Sequence, residues 1–193
     1  MTITYGVHSE VGKLRRVLVD RPGAALTRLT PSNCHELLFD DVIWVKQARV
    51  EHMTFVDAIR YRGAEVVFLR EALAETMQDK EARQWLLERR INENTVGVGL
   101  ADDLRAMLME TEADALSLIL MGGMSRAELP VEAKGVLAPV LRPEDFILPP
   151  LPNHLFTRDT TCWIHGGVTL NPMRWNARKL ETVNIAAVYR FHP

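Results

Sequence analysis

The stretch LPNHLFTRDTTCWIHGGVTLNP, residues 151–172, sets an acid, a base and an aromatic ring around one turn. Asp159 stands next to Arg158 at the mouth of a strand-like run. A carboxylate there can hold one edge of a guanidinium, whose planar fork of N–H donors matches a carboxylate in bidentate fashion. Phe156 can add an apolar or cation–π wall. A plainer role for Asp159 is local: pairing with Arg158 or capping the turn. Arg174 and Arg178 lie four apart near the start of the last predicted helix, a spacing that puts them on one face. That face either receives a small carboxylate or is simply solvated. Asn153, between Pro152 and the turn, reads as a turn former.

A nucleophile is harder to find. The chain has two cysteines, Cys34 and Cys162. Cys162 and His165 invite comparison with a thiol and its base. Three residues apart on a strand, however, they point to opposite faces, because the side-chain period is two. Cys162 is therefore expected to be a small buried apolar residue. Cys34, beside His35 in a loop, lacks an oriented base. A zinc site from Cys162, His165 and His154 fails on the same geometry and on ligand spacing.

These groups need elements to position them. LRRVLVD, residues 14–20, alternates and is β-rich, and stops at Arg21-Pro22-Gly23. Thr30, Ser32 and Asn33 around Pro31 suit an N-cap or an ordered loop. Residues 42–62 read as a helix with Val45, Ala48, Phe55 and Ile59 near one face, Gly63 as its stop, and residues 64–69 as a strand. Between about residues 70 and 133 the pattern predicts short amphipathic helices and no strand. Ala82, Trp85, Leu86 and Arg89 mark one, Leu104, Met107 and Leu108 another, and Leu116, Ile119 and Leu120 a third before Gly122-Gly123. Strands return at FILPPL and at a hairpin, TTCWIHGG with VTLNPM, joined through Gly166-Gly167. A last helix is predicted from about Trp175 to Tyr189. The fold class is α/β.

Composition excludes several classes. A net charge of −2 over 193 residues gives no case for nucleic acid or an anionic membrane surface. No apolar run approaches the ~20 residues of a membrane span. The N-terminus has no apolar signal core, and the cysteines form no CxxC pair, so a cytoplasmic location is expected.

Four long blocks carry a family resemblance: GVHSEVGKLRRVLV, RLTPSNCHELLFDDVIWV, LPPLPNHLFTRDTTCWIHGGVTLNPM and AAVYRFHP. They resemble the N-terminal part of bacterial arginine deiminases, of the guanidine-modifying (pentein) superfamily. The resemblance implies a pseudo-five-fold β/α propeller with a helical insertion. Residues 1–69 would open the α/β core, 70–139 form the insertion, and 140–193 continue the core. It implies hydrolysis of L-arginine to L-citrulline and ammonia, through a cysteine-bound amidino intermediate and without metal or organic cofactor. Asp159 resembles the first guanidinium-binding carboxylate. Asn153 and Arg178 resemble the groups that hold the α-amino and α-carboxylate end. Phe156 resembles the wall beside the stem, and Leu38 a lining residue on a covering loop, residues 30–41. Arg174 takes no role from the resemblance.

In this family the second carboxylate, the catalytic histidine and the nucleophilic cysteine come later in the chain, beyond a position equivalent to Pro193. The chain alone is therefore expected to be inactive, and to self-associate as a homo-oligomer or pair with a C-terminal half. Two other readings are a non-catalytic arginine-binding or interaction module, and a sibling pentein such as an agmatine deiminase or an amidinotransferase.

Overall fold

A computed structural model describes residues 5–130 and 141–193. The expected boundary at 139/140 thus lies outside the described residues. Strand β1 (Arg16–Val19) pairs in parallel with β2 (Glu65–Phe68), in the register Arg16↔Glu65 to Val19↔Phe68. Parallel neighbours need a crossover, here helix α1 (Ala24–Thr27), a turn-rich segment, and helix α2 (Val45–Tyr61). The stripe that α2 turns inward is Val45, Ala48, His52, Val56 and Ile59, with Val56 fully buried. Phe55, expected on this face, is 55 % exposed. It stands one residue off the three-and-four spacing, about a quarter-turn around the helix. Gly63, at φ +78, ends α2 as expected and donates its N–H to Arg60 O at 2.8 Å.

Helices then follow in series: α3 (Leu69–Thr76), α4 (Lys80–Arg90), α5 (Glu93–Val96), α6 (Ala101–Glu110) and α7 (Ala113–Gly122). Asp79 caps α4, its Oδ1 accepting the Ala82 N–H at 2.7 Å. The expectation of no strand here fails at β3 (Met124–Ser125), which pairs antiparallel with β4 (Phe146–Leu148). Two residues are too few to show a period of two in sequence. Gly123 makes this approach possible. A Cβ there would lie 2.5 Å from Leu148 O and 2.7 Å from Pro150 N.

After β4 a 3₁₀ turn (Pro152–Leu155) leads to helix α8 (Thr157–Thr160), strand β5 (Thr161–Ile164) and strand β6 (Gly167–Leu170). The expected hairpin forms, but its two-residue loop is His165-Gly166 and not Gly166-Gly167, because Gly167 already pairs with Ile164. His165 adopts φ +51 there and exchanges both backbone hydrogen bonds with Val7, each 2.8 Å. The final helix is shorter than predicted. Residues 176–178 form a 3₁₀ turn, and α9 runs from Glu181 to Phe191.

One core joins the helical series to the rest. Leu73, Met77, Leu86, Leu104 and Leu120 pack with Leu148 of β4 and with Ile185 and Ala187 of α9. A smaller cluster of Leu26, Leu29, Cys34 and Leu37 ties down the turn-rich segment before α2. The described residues form a mixed α/β structure, and none of their helices is long and apolar enough to cross a membrane.

Candidate functional site

Helix α8 carries Asp159 and is held from both sides. Thr157 Oγ1 donates to Leu18 O of β1 at 3.0 Å, and Asn171 Nδ2 donates to Asp159 O at 3.0 Å. The carboxylate so placed does not meet Arg158, whose guanidinium lies 3.6 Å from Glu10. It meets Arg178 instead, Nη1 donating to Oδ2 at 2.7 Å.

Arg178 is the centre of the arrangement. Only 9 % exposed, it ends the 3₁₀ turn before α9. Its Nε and Nη2 both donate to Glu181 Oε2 at 3.0 Å, and Nη2 also reaches Asn153 O at 3.4 Å. Its Cζ stands 5.9 Å from the centre of the Phe156 ring. Asn153, buried in the preceding 3₁₀ turn, donates Nδ2 to Leu37 O at 2.8 Å. Leu38 follows directly with φ +65, a left-handed conformation that strains a side-chain-bearing residue. The structure thus brings Asp159, Phe156, Asn153 and Arg178 into contact, and sets Leu38 at their margin through the Leu37 carbonyl. Arg174 stays exposed beside Trp175 and shares no face with Arg178. The 3₁₀ turn that replaces the expected first helical turns breaks the i,i+4 relation between them.

Electrostatics follow from burial. Burial pulls the Arg178 pKa down, but the hydrogen bonds to Glu181 and Asp159 outweigh it and leave the guanidinium above its ordinary value. Glu181 is completely buried, which pushes its pKa up to about 7 against the pull of Arg178. Sequence reasoning passed over Glu181, although its spacing of three from Arg178 is that of a helical ion pair.

Behind the site lies a second buried network. His154 Nε2 and the Asn184 side-chain amide are 2.9 Å apart, and Asn184 Oδ1 accepts from Arg90 Nη1 at 2.7 Å. Arg90 Nη1 also donates to Leu120 O at 3.0 Å. Burial, with Arg90 and Arg178 nearby, lowers the His154 pKa to about 3, so the ring is neutral. No described carboxylate pairs with Arg90.

The cysteines take no part in the site. Cys34 is buried with its Sγ 3.8 Å from Pro31 O. Cys162 is half-buried, not buried as expected, because a two-stranded hairpin covers it only partly; its Sγ lies 3.9 Å from Trp163 O. His154 is deep in the core, while His165 sits outside against His8, ring centres 5.5 Å apart. Among the described residues no group of three potential ligands converges on a metal position.

An arginine-centred cluster with an acid, an aromatic wall and a buried amide suits a ligand carrying a guanidinium and a carboxylate. The family model of arginine deiminase matches residues 35–193, a span that includes every residue of this cluster. The match covers well over half of the chain, and the chain belongs to the arginine deiminase family.

Proposed function

We propose that this chain supplies the ligand-holding side of a site that hydrolyses L-arginine to L-citrulline and ammonia. One observation carries the reading: Asp159, Phe156, Asn153 and Arg178 touch one another in a chain of this family. Arginine has a guanidinium at one end and an α-amino acid head at the other. Its guanidinium replaces that of Arg178 at Asp159, and its α-carboxylate replaces Asp159 at Arg178. Asn153 keeps Nδ2 on Leu37 O, while its Oδ1, without a partner among the described residues, accepts from the α-ammonium. Phe156 flanks the aliphatic stem, and Leu38 borders the entrance.

The internal pair must open for this exchange. Asp159 is about half exposed, so solvent screens its pair with Arg178 and lowers the cost of opening it. Two new ion pairs offset that cost. Glu181 meanwhile holds Nε and Nη2, so Arg178 stays in place when Nη1 changes partner. Bond breaking falls to a thiol other than Cys34 or Cys162, whose sulfurs meet only backbone carbonyls.

In the same reading residues 1–69 and 140–193 belong to a pentein-type ring, interrupted by an insertion over residues 70–139.

Calorimetric titration with L-arginine and with agmatine, which lacks the carboxylate, tests the proposal. Saturable arginine binding is expected, at least ten-fold weaker for agmatine and at least ten-fold weaker in Asp159→Ala. Equal affinity for the two ligands, or an unchanged Asp159→Ala, would sink it.

A further inference from the structure

A cleft of about 210 Å³ lies apart from this cluster, bordered by the end of β1, by α1, α2, α3 and α7, and by the 3₁₀ turn at residues 152–155. Arginines from three separate segments line it: Arg21 after β1, Arg49 on α2 and Arg70 on α3. Arg70 is engaged, donating Nη1 to Asp114 Oδ1 at 2.7 Å and Nη2 to Glu71 at 3.4 Å. Arg21 gives Nη2 to Glu71 and lies over the Phe68 ring at 4.0 Å, but its Nε is buried without a partner. Arg49 uses only Nε, on Pro22 O at 3.1 Å; no described residue accepts from its Nη1 or Nη2.

One acid joins these donors in the lining. Asp20 is 7 % exposed, and among the described residues its carboxyl finds a donor only in the backbone N–H of Arg21. The remaining wall is apolar, with Leu118, Met121, Leu151 and Leu155.

The composition of these walls selects the occupant. Three guanidiniums exclude a simple cation. A buried carboxyl works against a multiply charged oxyanion, and unsatisfied donors work against a purely apolar guest. The volume is below the roughly 300 Å³ at which drug-sized ligands begin. We propose that the cleft binds a free α-amino acid with an aliphatic side chain. Its α-carboxylate is taken by Nη1 and Nη2 of Arg49, its ammonium by Asp20, and its side chain by the leucine and methionine wall. Pro152 and Leu155 flank Asn153 in one turn, so the occupant rests on the element that carries part of the arginine-holding cluster. The inference does not depend on that cluster's assignment.

L-leucine, titrated calorimetrically into the 193-residue chain, is the probe. Saturable one-to-one binding is expected, weakened at least ten-fold in Arg49→Met and in Asp20→Asn. 4-Methylpentanoate, without the ammonium, and 3-methylbutylamine, without the carboxylate, should each bind at least ten-fold more weakly than leucine. Arg49 is exposed on its helix, so Arg49→Met is expected to fold even where Asp20→Asn does not. Absence of saturable leucine binding, full affinity in Arg49→Met, or equal affinity for 4-methylpentanoate or inorganic phosphate overturns the assignment.

Discussion

At the scale of single residues, burial decides what each titratable group does. Asp20 illustrates it: desolvation raises its pKa from 3.8 to about 7. Between those values the unfolded chain has lost the proton that the folded chain retains. The contribution of Asp20 to stability is therefore full below about pH 4, falls as pH rises through the window, and has lost on the order of a few kcal/mol above it. Asp20→Asn is expected to flatten this part of the curve, as followed by urea unfolding at a series of pH values. A slope unchanged in the variant would assign the dependence elsewhere. Little of this is legible in sequence, where Asp20 is one more acid before a turn. Asp159, Phe156 and Asn153 are different, because turn chemistry and family resemblance both single them out. Partners remote in the chain stay hidden. Asn153 holds the Leu37 carbonyl across 116 positions, and nothing local announces it.

At the scale of elements, two glycines with similar backbone angles separate conformation from contact. Gly63 and Gly123 have φ +78 and +79. A Cβ at Gly63 meets nothing within 4 Å, whereas one at Gly123 meets three backbone atoms of the chain at residues 148–150 within 3 Å. Gly63→Ala should cost only the left-handed strain, roughly 1–2 kcal/mol. Gly123→Ala adds a clash with backbone that has no flexible end to move, and should cost at least about 2 kcal/mol more. Equal unfolding midpoints for the two would refute the distinction. Sequence reading placed the long helices well, since their apolar periodicity is sustained by one core. It failed at the short pieces. β3 has no period to display, and the 3₁₀ turn before α9 borrows helical residues without helical spacing, which is why Arg174 and Arg178 were paired on paper and part in space.

At the scale of the whole molecule, a charge without a counter-ion among the described residues joins distant parts. Arg90 belongs to α4, its acceptors to α7 and α9, and all three pack in the same core. Its Nε and Nη2 are buried without partners, and burial lowers its pKa to about 10. Replacing it with an apolar chain of similar length removes that penalty along with the two hydrogen bonds. Arg90→Met is therefore expected within about 1.5 kcal/mol of the parent, and Arg90→Ala, which leaves a cavity as well, about 3 kcal/mol below it. Chemical denaturation of the pair measures both, and a Met variant as unstable as the Ala variant would show that the charge itself is needed.

The fixing of α9 in this core has a consequence in time. Glu181 and Asn184 stand one turn apart on that helix, the first gripping Arg178 and the second gripping Arg90. Helix α9 is thus tied both to the turn that carries Arg178 and to α4. On the function proposed above, admission of a ligand asks for side chains to change rotamer at Asp159 and at one arm of Arg178. Such changes run in picoseconds to nanoseconds, where displacing a packed helix takes microseconds or longer. On the proposed reading, the association rate is expected to rise linearly with ligand concentration, set by encounter and not by rearrangement of the fold.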